Sequence, residues 1–145
     1  MSMCCADASF LVSVFLGDEH GAEAWRWWQS TRQVLTVSRL ALFEAENAIR
    51  AAPFCGKCTP AEANAALDGL VRARMEGFIE RREIPTRRLY PAAQRLSTHH
   101  TGPEVYGAMD ILHVAAAQEL GAKHFASFDG PQRKLAEAAG LDVVP

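Results

Sequence analysis

No apolar run in this sequence reaches the roughly 18 residues that a membrane-spanning helix needs. The N-terminus has no positively charged lead, and Asp7 interrupts the apolar segment that a signal peptide would use. The chain is therefore expected in the cytoplasm, with no membrane association. Net charge is scarce too: 15 Lys and Arg stand against 17 Asp and Glu, for a formal charge of −2. That excludes a protein that holds nucleic acid by bulk positive charge alone, while a local basic patch stays open. Internal repeats, linkers and low-complexity segments are absent. With 145 residues, 49% of them apolar and 22% charged, the chain fits a single domain over 1–145 with one core.

Cysteine is limited to Cys4, Cys5, Cys55 and Cys58. The last two have the CxxC spacing of zinc and redox sites. A zinc site would need Cys4 and Cys5 as further ligands, yet neighbours on an extended chain point to opposite faces. A redox pair normally follows a strand and opens a helix, whereas this one sits in a loop behind Pro53. The four are read as incidental thiols.

What is present is an alternation of short apolar runs and helical patterns. Strands are expected at 2–6, 33–37, 83–86, 123–128 and 142–144. Helices are expected at 8–16, from Asp18 or Glu19 through Trp28, at 39–51 behind a Ser38 cap, and from Thr59 to about Arg81. Further helices follow at 88–98, 107–120 and 131–139. Thr59-Pro60-Ala61-Glu62 has the composition of a capping box with Pro in the first turn. Strands alternating with helical hairpins predict an α/β fold with a central, mostly parallel sheet.

Four acids disturb this apolar frame. Asp7 and Asp129 directly follow expected strands, where open parallel sheets bind ligands. Glu44, in SRLALFEAENAIR, and Asp110, in AMDILHVAAAQELG, interrupt apolar helical segments and are expected at or near the core. Each has a purely structural alternative. Asp7 and Asp129 can cap the helices after them, Asp110 can favour a helix dipole, and Glu44 can be solvated. As a set they point to one cleft. Carboxylates gathered there would raise one another's pKa unless a cation were present, and Mg²⁺ or Mn²⁺ suits oxygen donors. Such ions lower the pKa of bound water and clamp phosphodiesters, the chemistry of metal-dependent nucleases.

Four segments carry a resemblance: CCADASFLVSVFL, LALFEAENAIR, AMDILHVAAAQELGAKHFASFDG and AGLDVV. In order along nearly the whole chain, they resemble the motifs of the PIN-domain family, above all its VapC-like toxin ribonucleases. Asp7-Ala8-Ser9 matches a strand ending in Asp, a small residue and Ser. Glu44 and Asn47 match a helical Glu followed by Asn. Asp110 with His113 matches the third motif, and Ser127-Phe128-Asp129 matches Thr-x-Asp with the hydroxyl kept. Residues 53–104 match no motif.

The resemblance implies a three-layer α/β/α sandwich and an Mg²⁺- or Mn²⁺-dependent endoribonuclease acting on RNA. Asp7, Glu44, Asp110 and Asp129 would be the catalytic, metal-binding acids, with Ser9, Asn47, His113 and Ser127 supporting them or the substrate. It further implies a homodimer and a small cognate antitoxin. The rival readings are a catalytically weak RNA- or protein-binding module of the same fold, and a processing nuclease that is not a toxin. A Mg²⁺ phosphotransferase is disfavoured, because Ser9 stands where such enzymes often carry a second acid.

Three features remain outside the motifs. The arginines between Arg72 and Arg95, interleaved with Glu76, Glu80 and Glu83, read as a solvated helical face with i,i+4 pairs, or else as an RNA backbone contact. His99 and His100 read as a solvated loop pair. Trp25 and Trp28 share a helix face that Trp27 does not, so at least one indole is expected near the surface.

Overall fold

Cys4 and Cys5 are neighbours on the first strand, β1 (Cys4–Ala6), yet they belong to different cores. The two-residue period of a strand sends Cys4 and Ala6 to one face and Cys5 to the other. Burial pushes both thiols up to about 12, so neither is ionised at neutral pH. They are structural apolar groups, and all four cysteines are free.

The computed structural model describes residues 1–145. Four more strands complete the sheet: Leu35–Ser38 (β2), Ile79–Arg82 (β3), His124–Ala126 (β4) and Asp142–Val144 (β5). All pair in parallel, in the order β3-β2-β1-β4-β5. On the Cys4 face lie α1 (Ala8–Leu16), α2 (Gly21–Thr31), α3 (Arg39–Ala51) and α4 (Pro60–Met75), which bury Phe10, Trp28, Leu42 and Leu70 against Leu35 and Val37. On the Cys5 face lie α5 (Thr86–His100), α6 (Ala108–Glu119) and α7 (Gly130–Ala138), which bury Leu96, Val114 and Leu135 against Phe125. This is the expected three-layer α/β/α sandwich. No helix is long and apolar enough to cross a membrane.

The chain moves from β1 outward through β2 to β3, then crosses back to β4 on the other side of β1. The carboxyl ends of β1 and β4 therefore flank the point where the winding direction reverses. Such switch points open a crevice, because the connecting segments leave in opposite directions.

Several caps follow the sequence. Asp7 accepts the Phe10 N–H at 2.9 Å, Ser38 accepts that of Ala41 at 3.0 Å, and Thr59 with Glu62 forms the capping box. The region 76–86 differs from expectation. The helix ends at Met75 rather than near Arg81, and Gly77 turns the chain at φ 82°. The strand then comes early, because Leu35 donates its N–H to the Phe78 carbonyl and Ile79 pairs with Leu35. Glu80, Arg81 and Arg82, expected at the end of that helix and just beyond it, instead form an exposed sheet edge, where charge discourages pairing with another chain.

All of the arginines between Arg72 and Arg95 except the partly buried Arg74 are exposed, but their ion pairs run mostly between elements or along the edge strand, as in Arg88–Glu119 at 2.9 Å and Arg82–Glu80 at 3.2 Å. The i,i+4 pair is elsewhere, at Arg50–Glu46. His99 and His100 end α5 rather than lying in a loop. Trp25 is the exposed indole, while Trp28 is buried and donates to the Gln33 carbonyl at 2.8 Å.

Gly21 is fixed by its surroundings. A β-carbon there would lie 2.8 Å from the backbone oxygen of Ser13, so α2 can start against α1 only without a side chain. Overpacking against backbone costs about 1–3 kcal/mol. Gly21→Ala is thus expected to lower the thermal midpoint by several degrees, as read by circular dichroism. An unchanged or higher midpoint would show that the two helices separate freely.

Candidate active site

Asp7 is 1% exposed, immediately beyond β1. Its Oδ1 accepts from the Ser9 hydroxyl at 2.7 Å and from the Phe10 N–H at 2.9 Å. Its Oδ2 accepts from the Ser127 hydroxyl at 2.6 Å. Ser127 in turn accepts from the Asp129 N–H at 3.0 Å, and Ser9 accepts from the Phe128 N–H at 2.9 Å. The ends of β1 and β4 are thereby tied together through side chains. Desolvation pushes the Asp7 carboxyl above its ordinary value of 3.8, and the Ser127, Phe10 and Ser9 hydrogen bonds and the nearby His113 pull it partly back.

Asp129 caps α7, accepting the Gln132 N–H at 3.0 Å through Oδ1. Both structural alternatives for the strand-end acids are therefore realised. Capping uses one oxygen of Asp129 and leaves the other free for the cleft.

Glu44 projects from α3 and meets His113 of α6, Nε2 to Oε2. A carboxylate needs a donor, so the proton is assigned to Nε2. The His113 side chain is 1% exposed and its Nδ1 has no partner. Asp7 and His113 line one small internal cavity, so His113 lies between the Glu44 carboxylate and the Asp7 network.

Two predicted site residues stand apart. Asp110 lies half-buried in the first turn of α6, one turn before His113, with its Oδ2 over Gly107. No hydrogen bond joins it to the other acids. Asn47 is on the exposed side of α3 and makes no side-chain hydrogen bond.

The cleft itself has a volume of about 380 Å³. Ser9, Asp18, Glu19, His20, Glu44, Asp129 and Gln132 contribute to its wall. No three His, Cys, Asp or Glu side chains gather tightly enough to form a ready metal cage. The donor chemistry nonetheless fits a hard divalent cation. The charged wall is carboxylate-rich, and Gln132 Oε1 is buried there without a partner. An unpaired buried oxygen calls for a cation or a water. A separate groove of about 610 Å³ between α2 and α4 is lined mainly by apolar side chains, including Phe15, Trp25 and Phe78, and holds none of these acids.

Sequence reasoning missed Asp18, Glu19, His20 and Gln132. Their place in the cleft depends on the turn between α1 and α2 meeting the start of α7, which no local spacing encodes. His20 and Phe128 stack although they are 108 positions apart.

The raised Asp7 pKa has a consequence for stability. The folded state holds that proton more tightly than the unfolded chain. Its stabilising contribution is full below 3.8 and is lost as pH rises through the elevated folded value. Asp7→Asn cannot ionise, so in metal-free buffer it should lose less stability than wild type as pH is raised from 4 to 8. Denaturant melts across that range would expose the difference. Parallel curves would mean that Asp7 ionises freely.

The profile of the PIN domain family matches residues 4–138. No curated protein gives a match. Solved structures do. VapC20 of Mycobacterium tuberculosis, a toxin that cleaves the sarcin-ricin loop, is 21% identical, with a TM-score of 0.70 over 98% of this chain and 99% of that one. VapBC2 of Rickettsia felis, bound to a DNA fragment from its promoter, is 12% identical, with a TM-score of 0.69 over 98% and 97%. DNA-bound VapBC of Salmonella typhimurium is 16% identical, with a TM-score of 0.62 over 99% and 98%. At these identities the likeness is one of fold. Because the family profile runs from β1 into α7 and takes in all four acids, the chain belongs to the PIN domain family.

Proposed function

We propose that this protein is an Mg²⁺- or Mn²⁺-dependent endoribonuclease and the toxin of a toxin–antitoxin pair. The observation that carries the reading is the buried Asp7 carboxylate, held at the switch point by Ser9 and Ser127 and set beside a cleft that Glu44 and Asp129 line. Family membership and the toxin neighbours support it.

Asp7, Glu44, Asp110 and Asp129 would hold the ion. When bound, it supplies Lewis acidity to a water and to a phosphodiester oxygen. The chain's own residues do the positioning. Ser9 and Ser127 fix both oxygens of Asp7 through the strand ends, so the carboxylate cannot rotate away. His113 holds Glu44 from below through Nε2. Asp129 lines the cleft while its Oδ1 caps α7, which leaves Oδ2 available to a ligand. A carboxylate not engaged with the ion can accept the proton that the attacking water sheds. Asp110 starts α6, the helix that carries His113, so it would reach the ion from that helix start, and Asn47 on the exposed side of α3 would be left for the substrate.

The solved neighbours that are complexes of toxin and antitoxin favour a small protein inhibitor as partner. A homodimer in the cytoplasm fits the same reading.

Purified protein should cleave single-stranded RNA with Mn²⁺ or Mg²⁺ and lose that activity in chelator. Glu44→Gln and Asp129→Asn should each lower cleavage by about a hundredfold or more. Retained cleavage in both variants would remove these acids from the reaction, and retained cleavage in chelator would remove the metal from it. Absence of cleavage on any RNA, with metal bound, would favour the binding-module alternative.

Ser127 offers a finer test. Loss of a hydrogen bond that orients a metal-binding carboxylate typically costs about 10- to 100-fold. Ser127→Ala is expected to show that loss, and Ser127→Thr, which keeps the hydroxyl, is expected to work near the wild-type rate. Equal rates for all three would make the Ser127–Asp7 bond dispensable.

A further inference from the structure

A column of aromatic rings reaches the wall of the cleft. The His20 imidazole lies flat on the Phe128 ring, with centroids 4.5 Å apart and planes 3° from parallel. Phe128 is itself parallel to Phe10, at 5.9 Å and 6°. Phe10 is fully buried and meets the edge of Trp27 at 5.6 Å. Three parallel rings thus rise from the core to the cleft wall, and the outermost, His20, is 41% exposed.

The turn that carries His20 is fixed by Asp18 and Gly21. Asp18 accepts the His20 N–H at 2.9 Å through one oxygen and the Ser13 hydroxyl at 2.9 Å through the other. The Gly21 N–H donates to the Asp18 carbonyl at 3.0 Å. The close approach of Gly21 to Ser13 sets where α2 begins. The ring's one charged contact is Glu19, at 3.6 Å, on a side chain that is 85% exposed. One face of the imidazole is covered by Phe128, and the outer part of the ring borders the cleft that Asp129 and Glu44 also line.

The surrounding charge narrows what can sit there. Asp18, Glu19, Glu44 and Asp129 repel an anion, so a phosphate gains nothing from this part of the wall. A flat, neutral, polarisable group gains stacking without that penalty. On the ribonuclease reading, on which this rests, the polyanionic substrate needs a foothold beside the acids that does not depend on its charge. Base stacking supplies one, and it is tolerant of sequence because every base has a π-face.

We propose that His20, presented by Phe128, is a substrate-positioning residue that stacks on one nucleobase of single-stranded RNA beside the scissile phosphodiester. It carries no proton in the reaction. Its effect belongs in KM rather than kcat.

The test uses full-length protein and a short oligoribonucleotide with 2-aminopurine at successive positions, whose fluorescence is quenched by stacking. Wild type should quench the probe strongly at one position. His20→Ala should weaken binding and raise KM by about 5- to 100-fold, with kcat changed far less. His20→Leu fills the space without a π-face and should behave like His20→Ala, whereas His20→Tyr should restore both affinity and quenching. Melting curves on each variant separate this from misfolding. Wild-type affinity and quenching in His20→Ala or His20→Leu, with RNA still cleaved, would overturn the stacking role and leave the ribonuclease reading standing. If the wild type neither binds nor cleaves any RNA, the ribonuclease reading falls and the stacking role falls with it.

Discussion

A carboxylate removed from water is the constraint around which this molecule is arranged. Asp7 is buried at the end of the central strand with no Arg or Lys to neutralise it. It survives there because three donors reach it from three directions: its own helix start, the residue two positions on, and the end of β4. Each donor does structural work as well. The Phe10 N–H starts α1, Ser9 also receives the Phe128 N–H, and Ser127 also receives that of Asp129. Loss of Asp7 would therefore loosen the junction between β1 and β4, not only the cleft. Even so, the hydrogen bonds do not fully offset desolvation, since the carboxyl still prefers its proton more than a solvated one does. A site so balanced favours whatever positive charge can approach it.

The second acid is handled differently. Glu44 is half-exposed and draws its donor from the opposite side of the sheet, through a buried imidazole on α6. His113 thereby links the two helical layers beyond the carboxyl ends of the central strands. With Nε2 spent on Glu44 and Nδ1 unpaired, its ring is held by packing on one side and by a single hydrogen bond on the other. The price of that arrangement is an unsatisfied nitrogen of the kind that interiors seldom tolerate. The acids thus fall into two supported groups, Asp7 with Asp129 and Glu44 with His113, while Asp110 keeps to its own helix start.

Much of this was legible in the sequence, for reasons that differ by element. The helix 8–16 and the capped starts at Ser38 and Thr59 could be read because a cap is a local device: an oxygen, its spacing and the apolar pattern that follows. The opposite orientation of Cys4 and Cys5 followed from strand period alone. The segment around Ile79 could not be read that way, because its β structure comes from pairing with Leu35, far off in the chain, and its run of charged residues carries no strand alternation. The acids at strand ends were legible since their position follows from topology. The wall made by Asp18, His20 and Gln132 was not, because it brings the turn between α1 and α2 against the start of α7, more than a hundred positions further along the chain.

Capping and site-building look like competing explanations for Asp7 and Asp129, but the geometry makes them one. A helix N-terminus presents bare N–H groups, and a carboxylate that accepts one of them is fixed in direction as well as stabilised. Asp129 gives one oxygen to α7 and keeps the other for the cleft, so the cap is what aims the acid. The same holds for the aromatic column beside it. Phe10 is a core residue of α1 whose backbone N–H caps onto Asp7, and its ring begins the stack that ends at His20. One residue thus sets the orientation of an acid through its backbone and supports an exposed ring through its side chain. The groups that hold the fold together are thus also the ones that aim the side chains lining the cleft.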